Sequence, residues 1–465
     1  MWVVVLFTIA PGTARGIQRP DVLVLVVDDL NDWNTLLDSN APIPTPNMQR
    51  LAERGTLFTR AYCASPACNP SRVSTWTGLR PTTSGVYGNR SDWRAALPEH
   101  PTLMQVLRSE GYTVSGAGKV FHHHLNGAFH DDESFDSFQP MRPQLYPHSK
   151  LNQAPEYGSR NTDWGVWPPT VEESVDHRSV DFCIRQLEKT ASPLMLVCGI
   201  FKPHSPFFAP KEFHGRVAEG IVPPRLDSDW DDLPTGAASL LRSKRWFWRG
   251  MQDLDHRRPG SYDDFLQSYA ACVAFADFQI GRVLQALDSR TGGEDAIIIL
   301  WSDHGFHLGE KAHIEKFALW EKSTRVPLVM VAPGVTKPGT VCDTPVDLTC
   351  LYPTVLDLLN VSADTSLDGR SVVPLLSGNE APRGRIALTT YLPGNHAVRS
   401  ANWRYIKYQD GTEELYDHRN SSDSRDPHEW TNLAGDPRFD DILEQHRAHL
   451  PQRSAAPIHD LKSRN

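Results

Sequence analysis

The string Cys68-Asn69-Pro70-Ser71-Arg72-Val73-Ser74-Thr75-Trp76-Thr77-Gly78 places a nucleophile, a helix-starting proline and a cation within one turn of each other. Proline suits the first turn of a helix, where its missing N–H has no partner to lose. Cys68 then sits at a helix N-terminus, where unpaired amides favour an anion, with Arg72 at i+4 on the same side. A nucleophile facing an anionic substrate needs that arrangement. Further polar residues follow apolar runs: Asp28-Asp29 after Asp21 to Val27, Lys119 and His122 after Thr113 to Gly118, Lys202 and His204 after Leu194 to Ile200, and Ser302-Asp303-His304-Gly305 after Ala296 to Trp301. Ligands of parallel α/β sheets bind beyond the carboxyl ends of the strands, so these junctions share one edge if the strands are neighbours. Each alone has a plainer reading, a turn or helix cap for the aspartates and a solvated loop for His122-His123-His124. Together, oxygen donors with one imidazole favour a hard divalent cation, Ca2+ or Mg2+.

The elements that must hold these residues read as α/β. Asp21 to Val27 is β-branched without polar alternation, the pattern of a strand covered on both faces. Helical spacing at Leu103, Val106 and Leu107 stops at Gly111; Val175 to Leu187 and Tyr262 to Leu287 repeat it, and Leu328 to Ala332 is a further strand. Alternation of helix and strand predicts a buried, parallel sheet. Phe201 to Gly260, rich in Pro, Trp and charge, reads as a long loop over the sheet. After a helix at Leu348 to Leu359 and turns near Ser377 to Arg385, short strands at Trp403 to Tyr408 and Glu414 to Asp417 predict a small C-terminal α+β subdomain.

Over 465 residues, 47 Lys and Arg against 56 Asp and Glu leave a formal charge of −9. A nucleic-acid binder needs a basic field, so that class is disfavoured. No apolar run reaches the ~18 residues of a membrane span, so none is expected. Met1 to Ala10, followed by Pro11-Gly12-Thr13-Ala14, is similar to a signal peptide over residues 1–18 and predicts export to the periplasm, the exterior or a lysosome-like compartment. Seven cysteines make an odd count. Cys63, Cys183, Cys198 and Cys272 lie in apolar contexts of buried thiols, and Cys342 and Cys350 are the one pair close enough in sequence to consider as a disulfide.

Cys68, Pro70 and Arg72 fit the motif Cys-x-Pro-x-Arg, and on it the chain resembles the type I sulfatases of the alkaline-phosphatase-like superfamily. The likeness runs through Asp28-Asp29, Gly118-Lys119-Val120-Phe121-His122, Lys202-Pro203-His204, Ser302-Asp303-His304-Gly305, Lys316, Glu414-Leu415-Tyr416-Asp417 and Thr431-Asn432-Leu433-Ala434. Within the family it looks most like the iduronate-2-sulfatases, on Ser91-Asp92-Trp93-Arg94, on Lys202 to Phe207 before Pro210-Lys211-Glu212-Phe213, and on His304 where many sulfatases carry Asn. The resemblance implies a large mixed, mostly parallel sheet sandwiched by helices, with a catalytic unit over residues 19–378 and the subdomain over 379–465. It implies that Cys68 is oxidised to formylglycine by a formylglycine-generating enzyme. Asp28, Asp29, Asp303 and His304 would bind Ca2+, in preference to Mg2+, together with modified Cys68. Arg72 would hold the formylglycine hydrate, and Lys119, His204 and Lys316 would clamp the sulfate. His122 would be the base that expels sulfate from the second hydroxyl, and His204 or Lys316 the acid for the leaving alkoxide. Lys202 would stand behind them.

The substrate implied is a sulfated carbohydrate, most plausibly a uronic acid 2-O-sulfate in a glycosaminoglycan or algal polysaccharide, with Trp93 stacking on the sugar and Arg94 pairing with its carboxylate. The alternatives are a phosphonate or phosphate ester hydrolase of the same superfamily, and a binding protein in which Cys68 stays a thiol.

Overall fold

The run after Asp21 forms β1 (Val22–Asp28), and its side chains divide between two cores. Val22, Val24 and Val26 pack with Phe58, Trp76 and Trp301. Leu23, Leu25 and Val27 pack with Leu196, Phe275 and Ile280 on the other face. A strand alternates its side chains between faces, so a run apolar at every position is buried on both. The structure is a computed structural model that describes residues 19–122, 129–141, 146–152, 162–191, 193–215, 222–242, 244–362, 365–378, 384–419 and 426–459. The leader expected at residues 1–18, together with His123 and His124, lies outside the described residues.

The other strands of the main sheet are β2 (Thr56–Tyr62), β3 (Thr113–Gly118), β4 (Ser137–Gln139), β5 (Leu194–Pro203), β6 (Ile297–Ser302), β7 (Arg325–Val331), β8 (Thr340–Cys342) and β9 (Val346–Asp347). Their order is β8-β2-β7-β6-β1-β5-β3-β4, with β9 also on β2. The strands from β6 through β1, β5 and β3 to β4 are all parallel, and β7 alone runs antiparallel, to both β2 and β6. β1, β3, β5 and β6 are therefore neighbours whose carboxyl ends meet at one edge. A separate antiparallel sheet follows, made of β10 (Ala387–Thr390), β11 (His396–Arg399), β12 (Trp403–Lys407) and β13 (Glu413–Asp417).

Helices cover both faces: α1 (Pro46–Glu53), α2 (Cys68–Thr77), α3 (Leu103–Ser109), α4 (Val175–Lys189), α5 (Thr235–Leu241), α6 (Trp246–Arg257), α7 (Ser261–Asp288) and α8 (Leu351–Leu359). A capping box starts α3, with Thr102 and Gln105 satisfying each other's backbone amides.

Three expectations are corrected. Phe201 to Gly260 is not a long loop, since it contains α5 and α6; Phe247, Trp248, Met251 and Leu254 form a buried helical stripe that the surrounding Pro and charge obscured. A helix apolar and long enough for a membrane span by length and composition does occur, namely α7, but 72% of its apolar window is buried inside the protein, so it is the central core helix. Cys342 and Cys350 form no disulfide; both are free thiols, and Cys350 is buried in the core on the Phe58 and Trp76 side of the sheet.

Candidate active site at the strand ends

Successive residues of a regular strand point to opposite faces, so Asp28 and Asp29 can share a site only if β1 breaks its pattern. It does. The pairing with β5 shifts between Val27↔Ile200 and Asp28↔Pro203, and Asp29 takes a left-handed φ of 59°. A non-glycine residue there costs on the order of 1–3 kcal/mol, and its neighbours hold it. The Tyr269 hydroxyl, from the middle of α7, donates to the Asp29 carbonyl (3.0 Å) and accepts from the Asn31 amide (3.1 Å). Asp303, just beyond β6, accepts the Asp29 amide on Oδ1 (3.2 Å).

At the end of β3 the chain passes unusually close to β5. A Cβ on Gly118 would lie 1.8 Å from the Gly199 carbonyl oxygen, and Gly118 has a φ of 77°. Only glycine fits, and the turn it makes delivers Lys119. His204 follows the end of β5, which Asp176 of α4 fixes by accepting the amides of Phe201 (2.7 Å) and Lys202 (3.0 Å). Lys316 arrives on a tight segment in which Lys311, Ala312, Glu315 and Phe317 all have positive φ. Among the described residues, that segment and Asp29 hold five of the eight non-glycine residues in this conformation. Backbone strain is thus concentrated around the site.

Cys68 opens α2, whose ten residues are all buried. Its Sγ lies 3.2 Å from His304 Nε2, 3.2 Å from Lys316 Nζ and 3.7 Å from Lys119 Nζ, and it is hydrogen-bonded with His122. Burial alone would push the thiol up, but Lys119, Lys316 and His304 outweigh it and hold Cys68 well below its ordinary value. Position 68 is therefore built for an anion. Burial pushes His122 down to about 4, which leaves it a neutral base near pH 7. Lys316 donates to Asp29 Oδ1 (2.7 Å), and Lys119 to Asp28 Oδ2. His204 turns Nδ1 to the Ser205 carbonyl (2.6 Å) and Nε2 toward Asp29 Oδ2 at 3.9 Å.

Arg72 was expected to hold the hydrate directly, yet its guanidinium nitrogens are committed elsewhere. Nε donates to Asp303 (2.8 Å), Nη2 to Asp28 (3.0 Å) and Nη1 to the Lys119 and Val120 carbonyls. It ties the ends of β1, β3 and β6 to α2.

Donor atoms of Asp28, Asp29, Cys68 and His304 lie within 4.8 Å of one another. Asp29 Oδ2 is buried without a hydrogen bond, an arrangement that costs roughly 1–3 kcal/mol unless a ligand fills it. His304 Nδ1 faces the Gly305 carbonyl (3.0 Å), which turns Nε2 into the site, where a bound cation would take the place of the Nε2 proton. The donor set thus fits a divalent cation. Asp303 adjoins it, with Oδ2 3.5 Å from His304 Nε2.

The structure gathers Asp28, Asp29, Cys68, Arg72, Lys119, His122, His204, Asp303, His304 and Lys316, and it leaves out Trp93 and Arg94. Trp93 is buried, stacked on Phe121 at 5.1 Å and covered by the Arg94 guanidinium at 4.2 Å, so no face of the ring is left for a sugar. Arg94 itself pairs with Asp131. Asp176 and Tyr269, which set the backbone of the site, escaped the sequence reading because each lies on a helix far along the chain from what it holds.

The Sulfatase family model matches residues 20–361, and the model for the C-terminal part of N-sulphoglucosamine sulphohydrolase matches residues 309–456. A sulfatase of Formosa agariphila is 35% identical over 95% of this chain and 88% of its own length. Human iduronate 2-sulfatase is 33% identical over 68% of this chain and 60% of its own. Among solved structures, a 2-O GAG sulfatase aligns with a TM-score of 0.70 at 23% identity, over 93% of this chain and 91% of its own. The phosphonate monoester hydrolase of Agrobacterium radiobacter aligns at 0.71 and 22% identity, over 92% of this chain and 94% of its own. These likenesses give the alkaline-phosphatase-like fold, and the family match gives the chemistry: the chain belongs to the sulfatase family and is a sulfuric ester hydrolase.

Proposed function

We propose that the protein removes a 2-O-sulfate from a uronic acid unit of a glycosaminoglycan or related sulfated polysaccharide, with Cys68 matured to formylglycine and Ca2+ bound beside it. The observation that carries this reading is the convergence of two lysines, two histidines and an empty carboxylate oxygen on the Cys68 side chain. The human relative's name supplies the uronate 2-O position. Asp28, Asp29 and His304 would hold the cation with the matured residue 68, Asp303 lying at the edge of the set. The hydrate of residue 68 would offer one hydroxyl to sulfur and a second whose deprotonation releases sulfate, while the cation would offset charge on the sulfuryl oxygens.

The chain's own groups divide the remaining work. Lys119 and Lys316, each anchored on an aspartate, aim their ammonium groups at position 68 and neutralise the incoming ester. Arg72 keeps Asp28 and Asp303 oriented. His122, neutral and in contact with residue 68, accepts the proton that frees sulfate. The departing sugar oxygen takes a proton from His204 Nε2 or Lys316 Nζ. Burial would strip the Lys316 proton, but Asp29 and the residue-68 anion hold it on, so this reading gives Lys316 the sulfate and His204 the departing oxygen.

Mass measurement of the tryptic peptide containing residue 68, from protein made in its native host, tests the proposal first. The expected species carries an aldehyde in place of the thiol, and unmodified thiol alone would leave only a binding role. Paired sulfate, phosphate and phosphonate esters of one alcohol then test the second reading, favoured by the fold shared with the phosphonate monoester hydrolase. Faster turnover of the sulfate is expected. Export to the periplasm, the exterior or a lysosome-like compartment belongs to the same proposal.

A further inference from the structure

The stretch Lys202-Pro203-His204-Ser205-Pro206 carries His204 into the site on a turn with few donors of its own, because Pro203 and Pro206 have no N–H with which to tie a carbonyl down. The Lys202 side chain supplies donors instead. Its ammonium reaches forward over the turn and donates to the His204 carbonyl (3.3 Å) and to the Pro206 carbonyl. The lysine is itself anchored, since its amide donates to Asp176 (3.0 Å). Lys202 is buried against the rings of Phe201 (5.2 Å) and Phe208 (5.9 Å), and among the described residues no carboxylate stands at ion-pair distance from its ammonium. Burial pulls it below its ordinary value. A buried charge without a counter-ion is costly, and an apolar side chain of similar length would fill the same space without that cost. What the ammonium adds is its hold on the two carbonyls.

Those carbonyls bracket the residue that sets the imidazole. Ser205, between them, offers its own carbonyl to His204 Nδ1 (2.6 Å), the Phe201 ring lies 4.7 Å from the imidazole at 33°, and Nε2 is left facing Asp29 Oδ2 at 3.9 Å. In the proton-donating form both ring nitrogens carry a hydrogen. As the bond from sulfur to the sugar oxygen breaks and sulfur passes to residue 68, Nε2 hands its proton to that oxygen, and the ring is left neutral with its remaining hydrogen on Nδ1 against Ser205. Donation therefore needs the ring aimed as well as charged.

We infer that Lys202 is a positioning residue for this step: by gripping the turn on both sides of Ser205, it points His204 Nε2 at the departing oxygen. The inference rests on His204 as the acid and deepens that reading. Steady-state kinetics on p-nitrophenyl sulfate and on a 2-O-sulfated uronate test it, with Lys202→Met, His204→Asn and the double variant. A misaimed donor hurts only a leaving group that needs one, so Lys202→Met should lower kcat on the sugar ester by on the order of tenfold or more beyond its effect on the aryl ester, with KM little changed. The double variant should show no greater sugar-specific loss than His204→Asn alone. If Lys202→Met does not fold, Lys202→Gln, which keeps a donor but not its reach, carries the same comparison. Equal losses on the two esters would mark a lysine that only supports the fold, and a sugar-specific loss that adds to that of His204→Asn would mark one that acts apart from His204; either overturns the inference. Equal losses in His204→Asn itself, with Lys202 intact, would remove the acid assignment and the inference with it, and so are told apart from a failure of Lys202 alone.

Discussion

At residue 68 the protein solves a problem of charge in a dry place. A buried anion is costly unless cations and hydrogen bonds surround it, and here Lys119, Lys316 and His304 do so. The same logic distinguishes the two candidate acids. For an aryl sulfate with an acidic leaving group, loss of the acid matters little; for an alkyl or sugar sulfate it matters greatly. His204→Asn is therefore expected to lower kcat on a sugar sulfate by on the order of 10²-fold or more beyond its effect on an aryl sulfate. Lys316→Ala should lower both about equally, because it removes sulfate binding. Steady-state kinetics with the two ester classes decide; the reverse pattern would make Lys316 the acid. Much of this residue-scale picture was legible in the sequence, because Cys68 to Arg72 is a local motif and the aspartates, lysines and histidines directly follow apolar runs. Trp93 was misread for an equally local reason. Indole next to arginine looks like a sugar platform, and only packing against Phe121 reveals a core residue.

At the scale of elements, the site depends on how strands end. β1 loses register and its regular alternation, β3 passes through Gly118 against Gly199, and α7 reaches across with Tyr269 to pin the result. Tyr269→Phe keeps the packing and removes one hydroxyl that both donates and accepts, so it should cost roughly 1–3 kcal/mol of stability. Urea unfolding measures that loss. The same variant should lower kcat as well, since Asp29 would no longer be held; an unchanged kcat would show that Asp303 and Lys316 suffice to position it. Strands and long helices were readable from apolar periodicity, whereas α5 and α6 were hidden because Pro, Trp and charge interrupt the short pattern of their buried faces. No sequence signal could have joined Tyr269 to Asp29, because that contact spans 240 residues.

Across the whole molecule, the two sheets are joined by a buried ionic network. Arg404 on β12 pairs with Glu321 and Glu429; Glu321 also accepts from Tyr62 of β2 (2.9 Å), and Glu429 pairs with His418 at 3.0 Å. Breaking such a network by removing one partner costs about 3–5 kcal/mol, as a stranded buried charge remains. Glu321→Gln should lower the melting temperature accordingly in calorimetry, and retention of wild-type stability would mean that apolar contacts alone join the sheets. Acid sensitivity is also built in. Burial pushes His396, on β11, down to about 4 from an ordinary 6.5, so between those values the unfolded chain binds a proton that the folded chain refuses. Its share of the stability is present above pH 6.5 and is lost as pH falls toward 4. His396→Gln should flatten the slope of unfolding free energy against pH in that window, and an unchanged slope would assign the acid sensitivity to other groups.

The cluster of left-handed residues around Lys316 also bears on how this enzyme can change. Each such position would be relaxed by glycine, so the simplest stabilising substitutions in the chain lie beside its chemistry. Selection for thermal endurance would push toward them, and selection for turnover would push back, because the same backbone tension aims the lysine. Robustness is then more readily gained at the far ends of the strands, where substitutions leave the reactive edge alone.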